Sequence, residues 1–266
     1  MSAPLNTAIR AARNAGDVII RYVDRIDTLK IGTKQHNDFV SEVDQLAEKE
    51  IIYTLQKAYP DHAIMAEESG AHNMQHGDGH PTWIIDPLDG TTNFLHGFPQ
   101  FAVSIAMKQD NQLQVAVVYD PMRQELFTAA RGAGARLNDR RIRMNPNTKL
   151  EGSLIGTGFP YYRYDYLDQY MDILKEIIIK TAGVRRPGSA ALDLAYTAAG
   201  RFDGFWEFNL KPWDIAAGAL LVQEAGGIVS DFENNHDYLK SGNIICGCPR
   251  VHQELYEIIQ RRLSSQ

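Results

Sequence analysis

Apolar residues at Leu5, Ile9, Ala12, Val18, Ile19 and Tyr22 fall largely on one face of a 3.6-residue period, which predicts a first amphipathic helix. A second runs from Ser41 to Ala58 and stops at Tyr59-Pro60. Two helices therefore precede any clear strand. The pattern then shortens to β-type runs at 63–66 (A-I-M-A), 82–85 (T-W-I-I), 101–107 (F-A-V-S-I-A-M), 113–119 (L-Q-V-A-V-V-Y) and 125–130 (E-L-F-T-A-A). D-N-Q at 110–112 reads as a hairpin turn, so the half covering about 1–150 is expected to be mainly antiparallel. From about Leu154 strand and helix alternate through S-L-I-G-T-G, a helix near Tyr166 to Lys180, A-A-L-D-L-A-Y-T-A-A, F-D-G-F-W-E and a helix opening at Trp213-Asp214. That alternation predicts layered α/β packing over 151–266. No repeat, low-complexity tract or long linker separates the halves, so 1–266 is expected to form one unit with its site in a cleft between them.

Composition narrows the function classes. The 266 residues are 44% hydrophobic and 23% charged, which fits a soluble globular chain able to bury a sizeable core. A formal net charge of −6 gives no global electrostatic footprint for nucleic acid or an anionic membrane. No apolar run approaches a membrane span, and Arg10 and Arg13 interrupt the opening segment where a signal peptide is apolar; the expected location is the cytoplasm. The two cysteines, Cys246 and Cys248, read as one strand face and as small buried residues in preference to a redox or metal pair.

The candidate chemistry lies in W-I-I-D-P-L-D-G-T-T-N-F, residues 83–94. Pro87 ends the strand and the following turn brings Asp89 beside Asp86. Two like charges at that distance repel unless one is protonated or a cation sits between them. Carboxylate oxygens, with a turn carbonyl such as that of Leu88, suit a hard ion such as Mg²⁺. Gly90-Thr91-Thr92-Asn93 then offers amides and hydroxyls for a phosphate at a helix start. The alternative is an Asx turn followed by an N-cap. Glu67-Glu68 follows the A-I-M-A strand, with one acid expected to face the cleft. Asp44 lies just inside the second helix, where the dipole alone would favour an acid, and Asp214 begins an apolar helix, where it could serve simply as an N-cap. So many acids at strand ends and helix starts make a multi-carboxylate metal centre the stronger reading.

That run, with E-E-S upstream and K-P-W-D-I-A-A-G-A-L-L-V-Q-E-A-G-G downstream, resembles the inositol monophosphatase family of Mg²⁺-dependent, lithium-sensitive phosphatases. F-V-S-E-V-D, G-T-G-F-P and R-R-P-G-S-A-A-L-D-L-A-Y are most similar to the bacterial SuhB subgroup. The resemblance implies a layered αβαβα sandwich of the inositol monophosphatase / fructose bisphosphatase type. It also implies hydrolysis of inositol monophosphate and related small polyol phosphates by metal-activated water. By position, Glu67, Asp86, the Leu88 carbonyl, Asp89 and Asp214 resemble the Mg²⁺ shell, and Asp44 with Thr91 the pair that orients and deprotonates the attacking water. Gly90 and Thr91 resemble the phosphate-binding segment, Gly188-Ser189-Ala190 and Glu207 the inositol-binding segments. Arg185 and Lys34 are placed near the substrate, and Arg186 at a homodimer interface. The subgroup implies an alternative role, binding Nus factors and RNA polymerase in ribosomal RNA antitermination.

Other features carry less. A fructose bisphosphatase or adenosine bisphosphate phosphatase would need a second phosphate or base pocket, and no clear arginine cluster supplies one. His72, His76 and His80 have helical spacing, but Gly77, Gly79 and Pro81 oppose a helix, so an exposed mobile loop is expected over a metal clamp. Arg140, Arg141 and Arg143 read as a solvated hairpin face, with a protein or RNA contact as the alternative. Y-Y-R-Y-D-Y (161–166) reads as an interface or cleft rim rather than a base-stacking platform.

Overall fold

Ser2 opens α1 (Ala3–Ile20), its hydroxyl accepting the Leu5 amide at 3.4 Å. The helix buries Leu5, Ala8, Ala12, Ala15 and Ile19. A Cβ at Gly16 would meet the Tyr119 ring at 2.5 Å, so glycine is what lets α1 lie this close to the sheet. A short 3₁₀ segment (Val23–Thr28) leads into a hairpin of β1 (Ile31–Gln35) and β2 (Asp38–Ser41), and Ser41 caps α2 (Glu42–Ala58). The hairpin corrects the expectation that two helices precede any strand. Its sequence, I-G-T-K-Q-H-N-D-F-V-S, is polar through the middle, so neither period stands out. The computed structural model describes residues 2–29, 31–35, 38–74, 79–146, 148–159 and 164–264, with backbone alone at 28, 31, 33–35, 38 and 39.

The chain continues through β3 (Ala63–Ala66), β4 (Gly70–His72), β5 (Thr82–Asp89), α3 (Thr91–Leu95), β6 (Ala102–Gln109), β7 (Gln112–Asp120), β8 (Glu125–Ala130), β9 (Gly134–Leu137) and β10 (Arg140–Arg141). These strands form an eight-stranded sheet in the order β10-β9-β8-β7-β6-β5-β3-β4, antiparallel except where β3 runs parallel to β5. Asp110 and Asn111, both at positive φ, make the two-residue turn between β6 and β7. His72 belongs to β4 and pairs with β3, which corrects the mobile-loop reading at that position; His80 Nε2 lies 2.5 Å from the Asp61 carbonyl oxygen, and His76 lies outside the described residues.

The second half runs β11 (Leu154–Thr157), α4 (Leu167–Lys180), β12 (Gly183–Arg185), α5 (Ala190–Ala198), β13 (Gly204–Glu207), α6 (Pro212–Glu224), β14 (Ile228–Ser230), α7 (Tyr238–Ser241), β15 (Ile244–Gly247) and α8 (Pro249–Leu263). Its sheet has the order β12-β11-β13-β15-β14, parallel across the first three strands and antiparallel across the rest. Cys246 lies in β15 whereas Cys248 has left the strand and precedes α8, so the two do not share a strand face; both are free and buried. Of Y-Y-R-Y-D-Y, 161–163 lie outside the described residues, Tyr164 is exposed and the Tyr166 ring stacks on Phe208 at 4.9 Å. Arg140, Arg141 and Arg143 are exposed.

The layers follow from which faces are apolar. Along β6, Val103, Ile105 and Met107 face α1 and α2, while Ala102 and Ala106 face the other way into the core that holds α5 and α6. Along β7, Val115 and Val117 alternate with Ala116 and Val118 in the same manner. Helices α1 and α2 thus cover one face of the large sheet and α6 the other; α5 packs on α6 and on the smaller sheet, and α8 with α4 closes the far side. The result is a layered αβαβα sandwich. No helix among the described residues is long and apolar enough to cross a membrane.

The middle layer depends on small residues. A Cβ at Gly218 in α6 would sit 2.3 Å from the Leu194 Cβ of α5, an atom with no freedom to move away. Gly218→Ala is therefore expected to destabilise the protein by about 1–3 kcal/mol through overpacking. This occurs although alanine is favoured over glycine in a helix by about 0.8–1.0 kcal/mol. Urea denaturation checks it: a midpoint equal to or above wild type would show that the helices separate without cost.

Candidate metal centre

Residues three apart on a regular strand point to opposite faces, yet Asp86 and Asp89 converge. The cause is an irregularity in β5. Asp86 pairs with Ser104 and Asp89 with Ala102, so three steps on β5 match two on β6 and the parity is reversed. Pro87 lies inside this bulge, and the Leu88 amide donates to Asp86 Oδ1 at 2.9 Å. The Asx turn is thus real and coexists with the clustering of acids. Gly90 follows at φ +96°, and a Cβ there would meet the Gln100 carbonyl oxygen at 2.8 Å, so only glycine makes the exit into α3. Asp214 arrives from the first turn of α6, one of its oxygens accepting the Lys211 amide at 2.7 Å. Oxygen atoms of Asp86, Asp89 and Asp214 all lie within 4.8 Å of one another.

Glu67 enters from the end of β3, where its amide donates to the Ile85 carbonyl at 3.1 Å. Its carboxyl lies beside that of Asp86, and its charge and a hydrogen bond between the two both favour the protonated form of Asp86. Burial pushes Asp86 well above the usual carboxylate range, and the charges of Glu67, Asp89 and Asp214 push it further. Asp214 is raised by burial and then by Asp89 and Glu67. Asp89 is raised to about 6 by burial, although Ser189 Oγ donates to its Oδ2 at 2.6 Å and the Ala191 amide at 2.7 Å. The donor set fits a hard divalent cation: carboxylate oxygens crowded together, whose charges act on one another.

Beside the acids, Thr91 Oγ1 lies 2.8 Å from Asp44 Oδ1 and 3.1 Å from the Leu88 carbonyl oxygen, so its single proton points to acceptors and its lone pairs remain for a donor. Asp44 Oδ2 accepts both the Ser41 amide at 2.8 Å and its hydroxyl at 2.5 Å. The helix-cap reading and the reactive-pair reading of Asp44 are therefore compatible, one oxygen serving each. Burial raises the Asp44 pKa, and the bonds from Ser41 and Thr91 hold part of that rise back.

The loop before α5 closes the cleft. Asn93 Nδ2 lies 3.0 and 3.1 Å from the carbonyl oxygens of Pro187 and Gly188, and 2.7 Å from that of Gln100. Ser189, the α5 N-cap, spends its hydroxyl proton on Asp89, and Ala190 begins the helix above it. The two arginines differ in their surroundings. Arg185 is exposed at the edge of the smaller sheet and turns back to the Val184 carbonyl at 3.0 Å. Arg186 turns inward, its guanidinium 5.4 Å from the Phe159 ring centroid, and its charge acts on Glu207 and Asp193. Strand alternation sends adjacent residues to opposite faces, and nothing in R-R-P-G says which faces the cleft. Glu207 is raised to about 8 by burial, with Arg186 drawing it down. Asp193 was not singled out in the sequence; it is 1% exposed, raised well above its usual range by burial and by Glu207 and Asp89. A lone acid within A-A-L-D-L-A was its only signal. The side chain of Lys34 lies outside the described residues.

A group whose folded pKa exceeds its unfolded value contributes stability that is complete below the unfolded pKa and is lost as pH rises through the folded one. For Glu207 that window runs from 4.5 to about 8. Glu207→Gln has no such loss. In EDTA, the melting temperature of Glu207→Gln relative to wild type is expected to climb steadily from pH 5 to pH 8. A difference constant across that range would remove burial of an ionisable Glu207 as a cost to the fold.

The profile of the Inositol monophosphatase family matches residues 2–264. The chain is 52% identical over 265 residues to the Nus factor SuhB of Pseudomonas aeruginosa, covering 99% of this chain and 98% of that protein. The crystal structure of the extragenic suppressor protein suhB from Bartonella henselae superimposes with a TM-score of 0.93 at 43% identity, over 98% of this chain and 99% of that one. An IMPase of Thermotoga maritima gives 0.88 at 35% identity, over 98% of each chain. With the family profile spanning both sheets and every acid of the cleft, the chain belongs to the inositol monophosphatase family.

Proposed function

We propose that the chain hydrolyses inositol monophosphate and related small polyol phosphates in a Mg²⁺-dependent reaction that uses water directly. The observation that carries this reading is the convergence of Asp86, Asp89 and Asp214 within 4.8 Å, beside a Thr91–Asp44 pair whose hydroxyl faces acceptors. Glu67, Asp86, the Leu88 carbonyl, Asp89 and Asp214 would hold the metal. When bound, Mg²⁺ would neutralise the acids, lower the pKa of water and offset charge on the transferring phosphoryl group.

The chain's own residues account for the remaining steps. Thr91 Oγ takes a proton from the attacking water as it passes its own to Asp44, so the threonine hydroxyl is regenerated and Asp44, whose raised pKa suits it to the task, holds the proton. The amides of Gly90 and Thr91, at the start of α3, orient the phosphate oxygens. Glu207, largely protonated at neutral pH, and the Gly188–Ala190 loop face the polyol hydroxyls. Asp214 lies on the leaving-group side, and phosphate departs without a covalent enzyme intermediate. The family relationship supports lithium sensitivity and a homodimer that includes the 185–188 segment.

A second reading is supported by the Nus factor name of relatives half identical over nearly the whole chain. In it, the same fold binds Nus factors and RNA polymerase in ribosomal RNA antitermination, with catalysis dispensable. Retention of Nus factors by immobilised Asp89→Asn protein as well as by wild type supports this role; loss of both partners and turnover ties binding to the metal centre.

The two halves of the site separate by kinetics. Asp89→Asn keeps shape and deletes a ligand charge, so Mg²⁺-dependent turnover of inositol 1-phosphate is expected to vanish while the metal-free protein melts no lower. Thr91→Ala is expected to lower kcat by about 10²–10⁴-fold, the range of general acid–base catalysis, with a nearly unchanged Mg²⁺ activation constant. Wild-type turnover by Asp89→Asn at ordinary Mg²⁺ sinks the proposal.

A further inference from the structure

Glu48 lies on α2 one helical turn after Asp44 and on the same face, and it is only 3% exposed. Its Oε2 accepts the Glu68 amide at 2.8 Å and its Oε1 the Ser69 amide at 2.9 Å. Those amides belong to the two residues that follow Glu67. We propose that Glu48 is a positioning residue for the metal centre, fixing the turn after β3 so that the Glu67 carboxyl stays in the acid cleft. The inference rests on the metal-dependent reading above.

Glu67 needs such a restraint. On its N-terminal side the hydrogen bond that its amide donates to the Ile85 carbonyl continues the ladder between β3 and β5. Beyond it the parallel pairing with β5 stops, because that ladder ends at Ala66 and Ile85. Glu67 also faces acids: its charge acts on Asp86, on Asp89 and on Asp214. Whatever part of that charge neither a proton nor a cation offsets pushes Glu67 away from the cleft. A buried carboxylate that accepts two amide hydrogens through separate oxygens opposes that force with short, charge-assisted bonds. Its base is rigid, since Ala47 and Ile51 flank it on α2 and are fully buried.

The same helix also fixes Thr91, through the bond to Asp44. One face of α2 therefore sets the distance between the Thr91 hydroxyl and Glu67, the two groups between which a nucleophilic water would be held. Glutamine at 48 would present one oxygen and one NH₂ group to two N–H donors, so one of the two bonds would be lost. Aspartate at 48 keeps the charge but is one methylene too short to reach the turn.

The test is Mg²⁺ affinity of the full-length protein, measured by calorimetry for wild type, Glu48→Gln and Glu48→Asp, with circular dichroism to establish folding. Both variants are expected to bind Mg²⁺ about 10–100-fold more weakly, the usual effect of removing a group that orients a metal ligand. Their Mg²⁺ activation constants should rise more than kcat at saturating Mg²⁺ falls. If Glu48→Gln does not fold, Glu48→Asp carries the comparison. Unchanged affinity in a folded variant, even with a lowered melting temperature, makes Glu48 a fold residue alone and overturns the proposal. A wild type that binds Mg²⁺ but hydrolyses no phosphate ester overturns the phosphatase reading, while the affinity comparison still judges Glu48.

Discussion

Repulsion among Asp86, Asp89 and Asp214 is the constraint on which the rest of the structure depends. At about 4 Å and an effective dielectric of about 20, each pair of unit charges opposes folding by roughly 4 kcal/mol if both are ionised. The backbone gives these groups little room to relax. A bulge aims Asp86 and Asp89 inward, and a helix start holds Asp214. The fold offsets part of the repulsion with helix N-termini: α5 gives Asp89 the Ala191 amide and the Ser189 hydroxyl, and α6 gives Asp214 the amide of Lys211. Protonation offsets more, since burial and the charges of Glu67, Asp89 and Asp214 raise the Asp86 carboxyl well above its usual range. A divalent cation would remove the remainder and return the carboxyls to their ionised form.

That arrangement explains why the cleft needs both halves of the chain. Asp86, Asp89 and Thr91 come from the large sheet and its exit, whereas Ser189 and Asp214 come from α5 and α6 in the middle layer. Asn93 ties the exit of β5 to the carbonyls before α5, so the loop that holds Asp89 cannot move independently of it. The close α5–α6 approach at Gly218 and Leu194 fixes the two helix starts relative to one another. Packing far from the acids thereby sets their spacing.

Much of this was legible along the chain, for stated reasons. The alternation in F-A-V-S-I-A-M and L-Q-V-A-V-V-Y names the strands and, through its alanines, the face that meets α6. Pro87 between two aspartates marks a break that can reverse strand parity. The first hairpin was hidden because K-Q-H-N-D carries no apolar period. Glu48 was hidden because its partners are backbone amides, which leave no trace in composition. The inward turn of Arg186 depends on a strand edge and a left-handed Gly188, whose Cβ would meet Arg186 Nη1 at 2.7 Å. Such contacts form only once β12, α5 and Phe159 are assembled. Asp193 falls on the apolar side of α5 and looks out of place until Glu207 and Arg186 are brought against it.

The claim that a cation relieves this cluster is tested most directly by counting protons released when Mg²⁺ binds. Calorimetric titration near pH 6, in two buffers of different ionisation enthalpy, separates proton release from the heat of binding. With Asp89 titrating at about 6 and Asp86 and Asp214 raised above their usual range, binding should release protons, and the number should fall in Asp89→Asn. Mg²⁺ binding with no proton release would mean that the acids are already ionised without it, and would contradict the account.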